Sequence, residues 1–434
     1  MNKNRPKLTM NSFFAGIGGF DLAFEQEGIK TNFQCEVNKF CLSILSQHWP
    51  DVIQHTDIMS LMPNEIPDAT IWCGGFPCQD VSVARGAKGR QGLKGKNSGL
   101  FYPYLELIKA KLPEVVLIEN VTGLLSSHNG QDFRVIIESL SAIGYTVCWR
   151  VMNSRFYGAP QSRPRVFICA SLKDPSLSIA ALYEKSKGSK VKGLRDAFMN
   201  VSECKLSGAR VADISYCLAA TSGRHTGTDW SRTYVSYDAA VRRLTPNECE
   251  GVQGFPFGWT LPLDSNCSKD IDSDRYHALG NAVSVPVVNW IAKKIKYHLL
   301  VDEKKNHDIE SLSDKEIVFS ICSEYEDFDM GKVRTQNISE LHLDALSSKN
   351  KLKWKTGGVV YNGFCVDINV SEAPAKPKFK KLISVIDKEI AEDRYFISSN
   401  AAEGILRRVS NQNRTLFPPL HDALVELSKK KNVA

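Results

Sequence analysis

The chain has 434 residues, of which 43% are hydrophobic and 24% are charged, and its formal net charge is +7. No apolar run reaches the roughly 18 residues that a membrane-spanning helix needs. The twelve cysteines are scattered and form no Cys-x-x-Cys pair, which argues against a disulfide framework or a zinc site. We therefore expect a cytoplasmic protein with no membrane contact and no bound metal, and its mild basic charge is compatible with nucleic acid.

Short apolar segments alternate with amphipathic ones over the first 170 residues. The pattern predicts strands at 8–14, 32–37, 70–73, 115–119, 145–152 and 165–170, and helices at 20–26, 39–48, 102–111 and 133–142. This alternation predicts a doubly wound α/β fold with a mostly parallel sheet. Because ligands of such sheets bind beyond the carboxyl ends of the strands, we expect the chemistry in the loops there.

The composition changes three times after residue 170. Residues 171–241 are polar and include a Gly/Thr/Ser-rich stretch, and apolar periodicity returns over 242–300. Residues 302–329 contain ten acids and three bases, whereas 330–434 contain eighteen bases and eleven acids. These shifts predict an acidic linker over 301–330, followed by a small folded extension over 331–434.

A glycine-rich loop and an acidic residue follow the first two predicted strands. The loop Phe14–Gly19 connects a strand to a helix, where glycines let a nucleotide-like ligand approach the backbone. Glu36 ends the second strand, where a carboxylate can bind the hydroxyl pair of a ribose. Each feature alone is also common in proteins without such a ligand.

Cys78 lies in the segment Gly74-Gly75-Phe76-Pro77-Cys78-Gln79, which follows the strand predicted at 70–73. A cysteine at this edge of the sheet is placed as a nucleophile would be, although most cysteines are inert core residues. No acidic residue occurs from Val81 to Leu105, and the stretch interleaves glycines with lysines and arginines. A basic loop after a nucleophile predicts a lid that closes on phosphates.

Two further polar segments end or begin predicted strands. Glu119 follows a run of aliphatic residues, where a carboxyl would be partly buried and could hold a proton and donate it. Arg163 and Arg165 flank Pro164, and residues at i and i+2 of an extended segment project to the same side. They are candidates to bind a phosphate or a base carbonyl, and a structural ion pair is almost as good an explanation for either arginine alone.

The joint order of these motifs resembles the C5-cytosine-specific DNA methyltransferase family over about the first 300 residues. The segments that carry the resemblance are Phe14–Gly19, Glu36, Thr56-Asp57-Ile58, Pro77-Cys78-Gln79, Glu119-Asn120-Val121, Gln161-Ser162-Arg163-Pro164-Arg165, Arg243–Glu248 with Gln253-Gly254-Phe255-Pro256, and Gly280-Asn281-Ala282-Val283. The resemblance implies a cytosine-5 methyltransferase that uses S-adenosylmethionine and flips its target base out of the duplex.

The resemblance also implies roles for individual residues. Cys78 would attack cytosine, Glu119 would contact the base ring, and Arg163 and Arg165 would orient it. The implied S-adenosylmethionine site comprises Phe14, Gly16, Ile17, Gly18, Glu36, Asp57, Ile58, Pro77, Leu100 and Asn281. Residues expected to contact DNA are Arg85, Lys88 and Arg90 of the basic loop, and Arg224 and Arg232 of the polar region.

The predicted organisation follows from these assignments. Residues 1–170 and 242–300 form the catalytic domain, 171–241 the target-recognition region, 301–330 the linker and 331–434 an extension of unknown role. We expect a monomer that binds double-stranded DNA, with a cognate restriction endonuclease as a further partner. Two alternatives remain open at this stage: a tRNA cytosine-5 methyltransferase, and a catalytically inactive DNA-binding regulator.

Overall fold

The computed structural model describes residues 7–77, 93, 98–190, 195–223, 229–263, 271–300, 312–328, 334–338 and 354–430. Within these ranges no helix is both long enough and apolar enough to cross a membrane.

In the described residues, the first half of the chain forms seven strands and five α-helices. The strands are β1 (Thr9–Phe13), β2 (Lys30–Cys35), β3 (Ile53–His55), β4 (Ile71–Gly74), β5 (Val115–Val121), β6 (Thr146–Asn153) and β7 (Pro164–Ser171). The helices are α1 (Gly19–Glu25), α2 (Lys39–His48), α3 (Phe101–Lys111), α4 (Gln131–Ala142) and α5 (Pro175–Leu182).

These strands form one twisted sheet in the order β3-β2-β1-β4-β5-β7-β6, which we refer to as the catalytic sheet because it lies in the predicted catalytic domain. Strands β3, β2, β1, β4 and β5 are parallel, whereas β7 is antiparallel to both β5 and β6. Strand β4 is buried along its whole length, as in parallel sheets covered by helices on both faces. The predicted doubly wound, mostly parallel α/β fold is therefore confirmed.

Helix α5 lies inside the region 171–241 that was predicted to be polar and devoted to recognition. Asp174 caps its first turn, and Leu177, Ile179 and Leu182 are buried in the main core. The helix contacts β6 and β7. This part of the predicted recognition region therefore belongs to the helical layer of the catalytic sheet.

A second, smaller sheet follows α5. It consists of β8 (Val201–Glu203), β9 (Arg210–Ala212), β10 (Tyr234–Ser236) and β11 (Val241–Arg243), in the antiparallel order β11-β10-β9-β8. We refer to it as the recognition sheet, because it lies in the region predicted to recognise the target.

Three helices close the catalytic part: α6 (Pro246–Gln253), α7 (Ile271–Asn281) and α8 (Val285–Leu300). Helix α6 begins with a capping box, in which the Glu248 N–H donates to the Thr245 hydroxyl and the Thr245 N–H donates to the Glu248 carboxylate. Helix α8 packs against α1 and α5 and covers one face of the sheet.

The C-terminal part extends the catalytic sheet. Its elements are α9 (Asp314–Ser323), β12 (Arg334–Asn337), β13 (Gly357–Tyr361), β14 (Phe364–Ile368), α10 (Ser399–Asn411) and α11 (Pro418–Lys429). Strand β13 pairs antiparallel with β6, β14 pairs with β13, and β12 pairs with β14, so the sheet has ten strands.

The prediction of an acidic linker over 301–330 is therefore wrong for residues 312–328. Ile317, Val318 and Ile321 of α9 are buried, and the helix contacts β13 and β14. Its acidic residues lie on the exposed side of an amphipathic helix, which a count of charges alone does not distinguish from a linker. Residues 301–311 lie outside the described ranges.

Side chains also join the C-terminal extension to the catalytic core. The Trp354 side chain is buried, and its indole N–H donates to the Gly130 carbonyl at 2.8 Å. The buried Arg150 guanidinium of β6 donates to the Ser371 carbonyl at 3.0 Å and to the Ala373 carbonyl at 2.7 Å. The extension thus shares the hydrophobic core with the first half of the chain.

Candidate active site

The predicted motif residues cluster at the carboxyl ends of four neighbouring strands. Strands β2, β1, β4 and β5 are adjacent, and they lead into Glu36, the Phe14–Gly19 loop, the segment 75–77 and Glu119. The candidate nucleophile Cys78 follows Pro77 directly, but it lies outside the described residues, as do Arg85, Lys88, Arg90 and Arg224.

The glycine loop has the backbone that its sequence predicts. Gly16 and Gly18 have positive φ angles of 57° and 80°. A Cβ atom on Gly16 would meet no heavy atom within 4 Å, so the loop leaves open space there. A Cβ on Gly18 would overlap the Trp49 ring, so this glycine allows the loop to pack closely on α2.

Glu36 connects the glycine loop to the end of β2. Its carboxylate oxygens accept hydrogen bonds from the Gly16 N–H and the Asn38 N–H, each at 2.8 Å. Each oxygen keeps a further lone pair, and the side chain is partly exposed. The structure therefore brings Glu36 and Gly16 together at the edge of an open space.

The other predicted cofactor residues differ in exposure. Ile17 and Ile58 are buried, Phe14 and Leu100 are partly exposed, and Asp57 and Asn281 are exposed. Asn281 ends α7 two residues before Val283, whose side chain lies against Gly19 of the glycine loop. Both an apolar wall and exposed polar groups thus occur around the loop, as a ligand with an aromatic base and a sugar requires.

Glu119 and Arg165 form an ion pair beside the segment that leads to Cys78. Arg165 Nε and Glu119 Oε1 are 3.1 Å apart, and both side chains are largely buried. Glu119 Oε2 lies 3.5 Å from the position of a Cβ on Gly75, and the adjacent Asn120 amide donates to the Phe76 carbonyl at 3.3 Å. These contacts therefore hold the ends of β4 and β5 together just before the predicted nucleophile Cys78.

Arg163 has a different environment from Arg165. Its guanidinium is buried and donates to the backbone carbonyls of Leu218 at 2.9 Å and Ala282 at 2.8 Å. A third hydrogen bond reaches the Gly280 carbonyl at 3.1 Å, and burial lowers the pKa of this guanidinium. Arg163 therefore ties the polar region to the end of α7, whereas its predicted role was to orient the base.

Cys217 is a site residue that the sequence analysis missed. Its Sγ lies 3.4 Å from Arg163 Nη1 and 3.8 Å from Arg165 Nη2. Burial alone would raise the pKa of the Cys217 thiol, but the two guanidiniums outweigh burial and lower it. No local sequence pattern marks Cys217, because the contact depends on two residues that are more than fifty positions away.

Gln161 and Gln253, which come from separate motifs, form a buried hydrogen bond near the site. The Gln161 amide donates to the Gln253 side-chain oxygen at 2.7 Å, and the Leu218 N–H donates to Gln161 Oε1 at 3.0 Å. The Gln253 amide in turn donates to the Leu279 carbonyl at 2.7 Å. Both glutamines are therefore buried members of one hydrogen-bond network, and neither reaches the open space.

Arg232, the described member of the predicted DNA contacts, bends back onto its own loop. Its guanidinium donates to the Thr221 carbonyl at 2.7 Å and to the Thr221 hydroxyl at 3.1 Å. It thus bridges the two sides of the segment 224–228.

Comparison with known sequences agrees with this arrangement of motifs. The sequence model of the family described as C-5 cytosine-specific DNA methylase matches residues 8–207 and 184–297. The chain belongs to this family. The matched residues include β1–β11 and α1–α7, so the family fold ends within α8 and the C-terminal extension lies beyond it.

Curated relatives are similar over about two thirds of the chain. The Type II methyltransferase M2.BsuMI of Bacillus subtilis is 33% identical over 65% of this chain and 74% of its own length. M.BsuFI, also of Bacillus subtilis, is 28% identical over 68% and 74%. M.SsoII of Shigella sonnei is 30% identical over 68% and 81%. Each of the three is named a Type II methyltransferase.

Metal ligands do not cluster in the described part of this family member. In the described ranges, no group of three His, Cys, Asp or Glu side chains is arranged to hold a metal ion.

Proposed function

We propose that the protein transfers the methyl group of S-adenosylmethionine to C5 of a flipped-out cytosine in duplex DNA, through a covalent adduct with Cys78. The observation that carries this proposal is the Glu119–Arg165 pair beside the segment 75–77. A carboxyl group and a guanidinium are the groups needed to hold the N3 edge and the O2 atom of cytosine. Membership of the C-5 cytosine-specific DNA methylase family supports the same activity.

The residues around the glycine loop fit S-adenosylmethionine. Glu36 has lone pairs available for the ribose hydroxyls, Phe14 and Ile58 offer apolar surface for the adenine ring, and Gly16 leaves the backbone accessible. Asp57 and Asn281 are exposed and can bind the polar ends of the ligand. When bound, S-adenosylmethionine supplies an electrophilic methyl group on a sulfonium.

The chain's own residues make cytosine reactive. The Cys78 thiolate forms a bond to C6, which transfers electron density to C5 and allows C5 to take up the methyl group. Glu119, as the carboxylic acid, donates its proton to N3, and Arg165 donates a hydrogen bond to O2, so that both stabilise the negative charge that develops on the ring. Loss of the C5 proton to a base and cleavage of the sulfur–C6 bond then restore the aromatic ring and release Cys78.

Target recognition requires a second set of groups. We assign DNA contacts to Arg85, Lys88 and Arg90 of the basic loop, to Arg224, and to the loop that Arg232 bridges. Arginine pairs well with guanine in the major groove, whereas contacts to phosphate position the protein without selecting a sequence. Because the relatives are named Type II methyltransferases, we infer a role in protecting DNA from a cognate endonuclease.

The nucleophile is tested with Cys78→Ala. We expect methyl transfer to fall more than 100-fold, while S-adenosylmethionine binding is retained, because the thiol acts only on the base. Cys73→Ala is the matched control, since Cys73 is a fully buried residue of β4.

A trapped adduct provides the direct evidence. Duplex DNA with 5-fluorocytosine at the target should form a complex with the wild-type protein that survives denaturation, because fluorine blocks loss of the C5 substituent. The same assay on tRNA distinguishes an RNA substrate. A protein that binds duplex DNA but forms no adduct on either substrate would be a regulator, and the proposed activity would be rejected.

A further inference from the structure

The two C-terminal helices pack on the recognition sheet. One hydrophobic cluster contains Tyr234 of β10 and Val241 of β11 together with nine residues of the C-terminal extension. The members from the extension are Ile397, Ala402, Ile405, Val409, Leu416, Phe417, Leu420, Ala423 and Leu424. Helix α11 contacts β9, β10 and β11, and it packs along α10.

The recognition sheet cannot bury this face without the helices. Each of its four strands has three residues, which is the short end of the usual range, so the sheet has little apolar surface of its own. Val211 and Val235 point to the opposite face and join the main core of the catalytic domain. The sheet is therefore enclosed between the catalytic domain and α10–α11, and both layers are needed to cover it.

Polar contacts connect α10 to the residues that directly follow the segment 224–228. Asp229 is buried, and its carboxylate accepts hydrogen bonds from Arg408 Nε of α10 at 2.9 Å and from the Tyr234 hydroxyl at 3.0 Å. The Arg414 guanidinium lies over the Trp230 ring, 4.5 Å from its centroid. Two consecutive residues, Asp229 and Trp230, are thus held by the C-terminal extension.

The backbone of the extension also runs along β11. The Ile397 N–H donates to the Val241 carbonyl at 2.9 Å, and Phe396 forms an isolated antiparallel bridge with Arg242. Arg243 Nη2 donates to the Arg394 carbonyl at 3.2 Å. These contacts fix the distance between the helices and the strand that leads into α6.

We propose that α10 and α11 are the second half of the target-recognition domain, and that Arg408 and Arg414 hold Asp229 and Trp230, and with them the recognition sheet, in one orientation towards the DNA. The proposal rests on the proposed function, because it concerns how the methyltransferase selects its sequence. Arg408 and Arg414 are positioning residues: they act on the target duplex through the residues that they hold.

The methylation rates at different sequences distinguish a role in positioning from a contribution to the stability of the fold. Wild-type protein and the variants Arg408→Ala and Arg414→Ala would methylate a library of random duplexes, and sequencing would give the rate at the target and at sites that differ by one base. We expect the ratio of target to single-mismatch rates to fall at least tenfold in both variants. S-adenosylmethionine binding should stay within twofold, because the cofactor residues lie on the other sheet.

Matched variants control the experiment. Arg407→Ala removes an exposed neighbour of Arg408 on α10 and should keep the wild-type ratio. Arg408→Lys keeps a charge near Asp229 and should restore part of the ratio. If Arg408→Ala fails to fold, Arg414→Ala still tests the proposal, since Arg414 is exposed and loses its contact to the Trp230 ring.

The outcomes are distinct. The proposal would be overturned if folded Arg408→Ala and Arg414→Ala both kept the wild-type ratio of target to single-mismatch rates. If Arg408→Ala does not fold, the same result in Arg414→Ala alone would overturn it. A lower rate with an unchanged ratio would do the same, because it would indicate a contribution to stability only. If the wild-type protein transfers no methyl group to any duplex, the proposed function itself fails, independently of these variants.

Discussion

Arg163 and Arg165 are two positions apart in one motif, and their side chains have separate tasks. Arg163 donates to three backbone carbonyls from a buried position, whereas Arg165 pairs with Glu119 near the open edge of the sheet. The sequence analysis gave both arginines the same predicted role, because the i, i+2 spacing could not tell them apart. The distinction arises from the long-range partners at Leu218, Gly280 and Ala282.

This difference predicts that replacement by methionine mainly lowers stability at Arg163 and mainly lowers the methyl-transfer rate at Arg165. Arg163→Met should lower the free energy of unfolding by about 1–3 kcal/mol or more, because buried carbonyls lose their donors. Arg165→Met should cost less stability but reduce the methyl-transfer rate by about 100-fold to 1000-fold, as expected for a lost electrostatic contact to the reacting ring. Urea unfolding and single-turnover kinetics of both variants check this, and equal stability losses would contradict it.

Cys217 provides a prediction that depends on pH. Because Arg163 and Arg165 lower the pKa of its thiol, the reactive thiolate is present at lower pH than for an ordinary cysteine. Iodoacetamide labelling of Cys217, measured by mass spectrometry of its peptide, should therefore persist as the pH falls towards neutrality. In Arg165→Met the labelling curve should shift to higher pH, and an unchanged curve would show that the guanidinium does not act on the thiol.

At the scale of elements, local signals were sufficient for a helix such as α2, which begins with a cap and has a clear apolar face, but not for α9, whose acidic residues hid the same signals. The helix predicted at 39–48 coincides with α2 (Lys39–His48), which Asn38 caps. Strand β3 was missed because it has three residues and no buried one. Helix α5 was missed although Asp174-Pro175 is a usual helix start, because the polar residues after it dominate the composition of 171–241.

The Asp174–His298 pair holds helix α5 to α8, and its contribution to the stability of the fold depends on pH. Burial alone would raise the pKa of Asp174, but hydrogen bonds from His298 and Ser176 lower it to about 2 from 3.8. A carboxyl whose pKa is lowered in the folded state stabilises the fold above its unfolded value, and this contribution is lost as the pH falls towards the folded value.

His298→Ala should therefore destabilise the protein at pH 6, and the difference from wild type should shrink between about pH 4 and pH 2. Urea unfolding over this range measures the difference, with His421→Ala as a control on the exposed face of α11. A difference that stays constant as the pH falls would mean that the Asp174 carboxylate is not the partner that matters.

At the scale of the whole molecule, the sequence predicted the catalytic sheet but not how far it continues. The patterns in β13 and β14 are ordinary strand patterns, and nothing local in Gly357–Tyr361 identifies β6 as its neighbour. The charge reversal at residue 330 suggested a separate unit, because the charges lie on the surface and the shared core is invisible in a count of charges. Pairing between distant segments is the information that local patterns lack.

The continuous core makes the extension indispensable. A chain truncated after residue 305 loses β12–β14, and with them the Trp354 contacts, the Ser371 and Ala373 carbonyls that accept from Arg150, and helices α9–α11. It would leave one edge of β6 unpaired, and the buried Arg150 guanidinium would keep the Leu182 carbonyl but lose its other two acceptors. We expect this truncation to be insoluble or to unfold well below the full chain in thermal melts. A soluble truncated protein that melts at the same temperature as the full chain would show that the extension is dispensable.

The pairing of β6 with β13 also has a consequence for synthesis. The two strands are separated by more than 200 residues, so β6 leaves the ribosome long before its neighbour exists. Contacts of such long range form late and slowly, and an apolar strand edge that waits for its partner favours aggregation. The edge of β6 therefore stays exposed on the nascent chain until β13 has been synthesised. We expect the yield of folded protein to depend on chaperones more strongly than its final stability would suggest.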